Sequence, residues 1–157
     1  MQPAQTWDGV SLPHFITALK SRMRQVAWRR LAPFGVSPQQ YQMLMALAEG
    51  GEACHGELAT RTWMDKPTAT RTLGKLIERG LITAEREPGP RHRTRYRLEP
   101  SGRELVAELQ DFRAFMRSGM EAGLDAPTRL ALRRTLASVM DNLDRMEAAL
   151  QASAPEA

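Results

Sequence analysis

Apolar residues recur at helical spacing through most of the chain and alternate only in one short stretch. Leu12, Ile16, Leu19, Met23 and Val26 step by four and three, which predicts one face of a helix over about 12–31. Arg22, Arg24, Arg29 and Arg30 lie mostly off that face. "FGVSPQQ" interrupts the pattern, with Ser37 as N-cap and Pro38 at the first helical position of a second helix that stops at Gly50-Gly51. "CHGELATRTW" predicts a short helix over about 55–63. The next helix opens on an Asp65 cap with Pro67 in its first turn and closes on Arg79 and Gly80. Its expected apolar face is Ala69, Leu73, Leu76 and Ile77, and its other face carries Lys66, Thr70, Arg71, Gly74, Lys75 and Glu78. "LITAERE" and "TRYRLE" then alternate as strands around a Pro/Gly-rich tip, "PGPRHR". Ser101 is the expected cap of a long helix to about 119, with Leu105, Leu109, Phe112 and Met116 on one face. A last helix over about 126–150 carries Leu132, Leu136, Val139, Leu143, Met146 and Leu150 in a heptad-like seam, with Met140 beside it. Residues 152–157 read as a disordered polar tail.

Charge sharpens this picture. The net charge is +4, but residues 55–97 alone hold ten Lys/Arg against five Asp/Glu, a surplus of +5. The positive charge therefore lies in the middle third, the electrostatic pattern of a nucleic-acid site. Four arginines, Arg91, Arg93, Arg95 and Arg97, occupy alternate positions of the hairpin. If Tyr96 and Leu98 face inward, Arg95 and Arg97 face outward, for solvent or for an anion. At 157 residues the chain is long enough to bury a core without disulfides. A single cysteine, Cys54, allows no intramolecular disulfide and fits a cytoplasmic setting; a small buried role is expected for it rather than redox chemistry. Three His and one Cys lack metal-ligand spacing, so neither a metal nor any other cofactor is expected. The N-terminus does not read as a signal peptide, and no apolar run is long enough for a membrane span. No nucleophile elbow, phosphate loop or metal-binding His motif points to an enzyme, and Asp141, Asp144 and Glu147 read as a solvated acidic face.

The order of elements predicts a mainly α protein with a small β-wing: a winged helix-turn-helix head with a helical dimerisation region. A helix fits the DNA major groove, and side chains on its outward face reach base edges. A basic hairpin beside it reaches phosphates or the minor groove. "GELATRTWMDKPTATRTLGKLIERGLITAERE", followed by "YRLEPSGREL", resembles the MarR family of bacterial transcriptional regulators. The resemblance rests on Leu58-Ala59, on Asp65 to Arg71, on Leu76 to Leu81 and on Gly102. It implies a homodimer, with residues 1–35 and 101–151 as dimerisation helices and 36–100 as the winged head. It implies double-stranded DNA as partner, through a pseudo-palindromic operator with half-sites roughly one helical turn apart. The expected function is transcriptional regulation, with repression as the expected mode. Arg71 is the expected base reader, Thr68 and Thr70 are candidates for phosphate or base contacts, and Lys66 and Lys75 for phosphates.

The wing departs from the family. Where an Asp normally steers an Arg into the minor groove, counting back from Leu98 gives Pro90 and His92. A shift of one residue in the turn gives Arg91 or Arg93 instead, so the reading residue at the tip stays open among these. Arg95 completes the set of expected DNA contacts. The resemblance further implies a small aromatic or phenolic effector in a crevice between head and dimerisation helices, with His14, Arg22, Trp28 and Met43 as candidate lining. The rival reading is a non-specific architectural nucleic-acid-binding protein with no effector.

Overall fold

The first helix, α1, spans Leu12–Leu31 and has a proline in its first turn; a 3-10 turn at Ala32–Phe34 follows, closed by Gly35 at φ +63°. The computed structural model describes residues 7–87 and 93–153. Helix α2, Pro38–Gly50, begins on a reciprocal capping box. The Gln40 N–H donates to the Ser37 hydroxyl at 3.1 Å, and the Ser37 N–H donates to the Gln40 side-chain oxygen at 2.9 Å. A two-residue strand, β1 (Ala53–Cys54), leads into α3 (His55–Thr62). Trp63 ends α3 in the left-handed region at φ +54°, with its side chain 84% exposed.

Helix α4, Lys66–Glu78, is set by its cap: the Thr68 N–H donates to Asp65 at 2.7 Å. Strands β2 (Ile82–Arg86) and β3 (Thr94–Leu98) pair antiparallel, with Ile82 opposite Leu98 and Ala84 opposite Tyr96. β1 pairs with the other edge of β3, so the sheet order is β1-β3-β2. The alternation in "TRYRLE" identifies β3, but nothing in a two-residue segment announces β1.

Met43, Leu44, Leu47, Leu58, Leu73, Leu76, Ile82 and Val106 form one core beneath α2, α3, α4 and the sheet. On α4 the buried set is Ala69, Thr72, Leu73 and Leu76, at i, i+3, i+4 and i+7. Ile77, expected inside, is exposed, because Thr72 holds the inner stripe and donates its hydroxyl to the Thr68 carbonyl at 2.8 Å.

The long helix expected after the wing is two helices, α5 (Pro100–Glu108) and α6 (Gln110–Glu121). The cause is a tightened turn at Leu109, whose N–H is shared between the Leu105 and Val106 carbonyls. Across the break Leu109 and Phe112 stay buried, and the Phe112 ring meets Tyr41 of α2 at 4.4 Å between centroids. Ser101 is not the cap of α5; Glu99 holds that position with Pro100 at N1, and the Ser101 hydroxyl donates to the Gly80 carbonyl at 2.7 Å. Gly102 permits this packing, since a Cβ there would strike the Leu81 carbonyl oxygen.

The chain divides into two compact units, Met1–Ala114 and Phe115–Ala157. In the second, Gly123 at φ +77° turns the chain and Asp125 caps α7 (Ala126–Ala152) by accepting the Thr128 N–H at 2.8 Å. Glu121 pairs with Arg129 and Arg133, at 3.5 and 2.8 Å, across this turn. α7 runs two residues beyond its expected end and has no buried residue. Its tail expectation falls largely on residues 154–157, which lie outside the described residues.

Candidate nucleic-acid interface

Helix α4 buries one stripe and leaves Lys66, Thr70, Arg71 and Lys75 exposed, with Thr68 half-buried at the edge. The Asp65 cap fixes where the helix starts and so fixes the phase of those side chains. Its carboxyl is held below the ordinary Asp range chiefly by the Thr68 N–H, then by the Thr68 side chain, with Arg71 adding a smaller attraction. The side chains of Lys66, Arg71 and Lys75 make no hydrogen bond or ion pair among the described residues. Their charge is open to an external anion. Gly74 sits mid-helix with nothing within 4 Å of where its Cβ would be, so no packing within the protein demands it.

The arginines of β3 have a different environment. Arg95 donates to Glu87 at 2.6 Å and lies 3.8 Å from Glu57, the capping carboxylate of α3. The Glu87 hydrogen bond and charge raise the Arg95 pKa. Arg97 donates to Glu85 at 3.0 Å through one guanidinium nitrogen, pairs with it again through the other, and lies 3.9 Å from Glu52. The outward row of like charge is therefore interleaved with acids from β2, from α3 and from the segment before β1. Glu57 itself lies below the ordinary Glu range, first because it accepts the Cys54 N–H at 2.8 Å. Arg93 is exposed at the base of the wing, where its carbonyl accepts the Glu87 N–H at 2.8 Å. Arg91 and His92, and with them Pro90, lie outside the described residues.

Two residues join this face that the sequence did not place there. Trp28 of α1, 47% exposed, borders a groove of about 370 Å³ together with Ser37, Gln39, Thr68, Arg71 and Lys75. His55, the first residue of α3, bonds Thr70 of α4 through Nε2 at 2.9 Å. Trp28 was an expected effector contact, and it stands beside α4. The other effector candidates do not gather around it. Met43 is fully buried in the head core, because its position on α2 falls on the inner stripe with Leu44 and Leu47. His14 is exposed near the start of α1, and Arg22 donates to Gln25 on the exposed surface of the same helix at 3.2 Å. Among the described residues no three His, Cys, Asp or Glu side chains gather as a metal site requires, and no helix is long and apolar enough to cross a membrane.

A capped helix with an open basic face, a support helix behind it and an antiparallel wing beside it define a winged helix-turn-helix protein. Residues 34–93 match the sequence model of the MarR family. Through that region the chain is similar to the MarR family. The HTH-type transcriptional regulator YdgJ of Bacillus subtilis is 26% identical over 114 residues, covering 73% of this chain and 70% of YdgJ. Two solved structures share the fold. MepR of S. aureus, in complex with DNA, superposes with a TM-score of 0.76 at 18% identity, over 85% of this chain and 96% of its own. BpsR of Bordetella bronchiseptica, whose DNA binding is regulated by 6-hydroxynicotinic acid, gives 0.74 at 22% identity, over 82% and 98%.

Proposed function

We propose that this protein is a sequence-specific DNA-binding transcriptional regulator that acts in the cytoplasm as a homodimer on a pseudo-palindromic operator, with repression as its mode. The observation that carries the reading is the open basic face of α4: Arg71, Lys66 and Lys75 are exposed and unengaged among the described residues, while the strand arginines are matched by acids. Arg71 reads a base edge, guanine being the commonest partner of an arginine fork, and Lys66 and Lys75 meet phosphates. Thr68 and Thr70 flank Arg71 on α4, and Arg93 serves the wing, with Arg91 and His92 as the further wing candidates. Release by a small aromatic ligand is part of the proposal, supported by the ligand that regulates BpsR. Such a ligand shifts the population between DNA-competent and incompetent states.

Enrichment of randomised duplexes on the full-length protein tests this reading, with a two-fold-symmetric motif as the expected product. Arg71→Ala should cost about 1–3 kcal/mol on that motif and relax preference at one position of each half-site. Uniform weakening on every sequence takes base readout away from Arg71, and enrichment of no motif makes the protein an architectural DNA binder instead.

A further inference from the structure

The bond between His55 and Thr70 has a consequence for which base the helix selects. Thr70 is exposed on the flank of α4 that faces the start of α3. Its hydroxyl donates to the Lys66 carbonyl one turn back at 2.9 Å. A hydroxyl has one proton and two lone pairs. The two 2.9 Å contacts are satisfied together when the hydroxyl donates to Lys66 and an imidazole N–H at Nε2 donates to Thr70. In that arrangement Nε2 carries the imidazole proton and Thr70 has one lone pair left.

We propose that Thr70 reads DNA as an acceptor only, with His55 as the positioning residue that holds it so, and that together they select a base presenting an exocyclic amine. In the major groove cytosine offers the N4 amine and adenine the N6 amine, whereas guanine O6 and thymine O4 are acceptors. A second acceptor set against either leaves both oxygens unpaired, which is costly once water is excluded. The same argument separates Thr70 from the phosphate-binding residues. A phosphate oxygen needs a donor, and Thr70 has none to give without breaking its bond to Lys66. This rests on the reading of α4 as the DNA-reading helix, and it names the base class at one operator position.

The test is duplex enrichment on the full-length protein and on Thr70→Val, His55→Ala, His55→Gln and the double variant Thr70→Val/His55→Ala. Valine keeps the shape of threonine and removes its oxygen. In the wild type, the position that responds to Thr70→Val should hold cytosine or adenine, preferred roughly fivefold or more over guanine and thymine, the scale of one hydrogen bond. Thr70→Val should flatten that position alone. His55→Ala should weaken preference at the same position, add nothing when Thr70 is already valine, and be rescued by glutamine, whose amide nitrogen can donate in place of Nε2. Guanine or thymine at that position overturns the proposal. So does a His55→Ala variant that loses affinity equally on all sequences, since His55 would then act on the backbone. A wild-type protein that enriches no motif overturns the regulator reading itself, which is a different result from a motif that ignores Thr70.

Discussion

Asp65 carries more of the interface than its size suggests, because the phase of every reading side chain on α4 follows from where that helix begins. The Thr68 N–H lowers the Asp65 pKa, so the capping interaction depends on pH in a defined direction. A carboxyl whose folded pKa lies below its unfolded value contributes stability that is fully present above the unfolded value, about 3.9 for Asp. That stability is lost as the pH falls through the lower, folded pKa. Asp65→Ala should therefore lower the melting temperature most at neutral pH, and the gap from wild type should close as the solution is acidified. Glu57 and Asp125 are shifted in the same direction by their own caps, so wild-type acid sensitivity has several sources. Comparing the two proteins across pH by thermal melting isolates the contribution of Asp65. A gap that stays constant down to strongly acidic solution would mean that the carboxylate charge adds nothing to the cap.

Among the elements, β3 shows most clearly how a row of cations changes meaning once its neighbours are known. Arg95 and Arg97 stand in the sequence among threonine and tyrosine, but fold against Glu57, Glu87, Glu85 and Glu52. These surface pairs contribute little stability. Under the proposed function these acids compete with phosphates for the two arginines. Replacing both Arg95 partners, Glu57→Gln with Glu87→Gln, should raise affinity for duplexes of any sequence and steepen the dependence of log K on log salt by about one unit if Arg95 then meets one phosphate. An unchanged slope in a salt titration would place Arg95 beyond reach of the backbone. The same element marks what could be read ahead of the structure. The caps at Ser37 and Asp65, the end of α4 at Gly80 and the β2–β3 hairpin were legible because each is decided within a few residues. The acid partners of β3 come from three separate segments. β1 is too short to carry a period, the turn at Leu109 involves neither Pro nor Gly, and His55 meets Thr70 only through the packing of α3 on α4.

At the scale of the whole molecule, the outstanding fact is how much apolar helix surface is exposed among the described residues. α7 is 27 residues long, roughly 40 Å at the rise of an α-helix, and none of its residues is buried. Leu132, Leu136, Leu143, Met146 and Leu150 are all exposed on the seam that the heptad spacing predicts. On α1 the predicted stripe of Leu12, Leu19, Met23 and Val26 is also exposed, and the inner positions are Ala27 and Leu31. Isolated helices draw little stability from propensity alone, so an amphipathic helix of this length is stabilised by what covers its apolar face. A second copy of the chain is the occupant the proposed function requires, because a symmetric dimer matches a symmetric operator. Leu136→Glu combined with Leu143→Glu places two charges inside that seam. The variant should sediment as a monomer where the wild type sediments as a dimer, while the head, whose core draws on neither residue, keeps its cooperative melting transition. Operator affinity should fall about 10²- to 10⁴-fold, the loss expected when two half-site contacts are no longer linked. Affinity for a single half-site should stay near the wild-type level, since α4 and the wing are untouched. A double variant that still sediments as a dimer would move the interface away from α7 and toward the exposed stripe of α1 or the exposed apolar residues of α6.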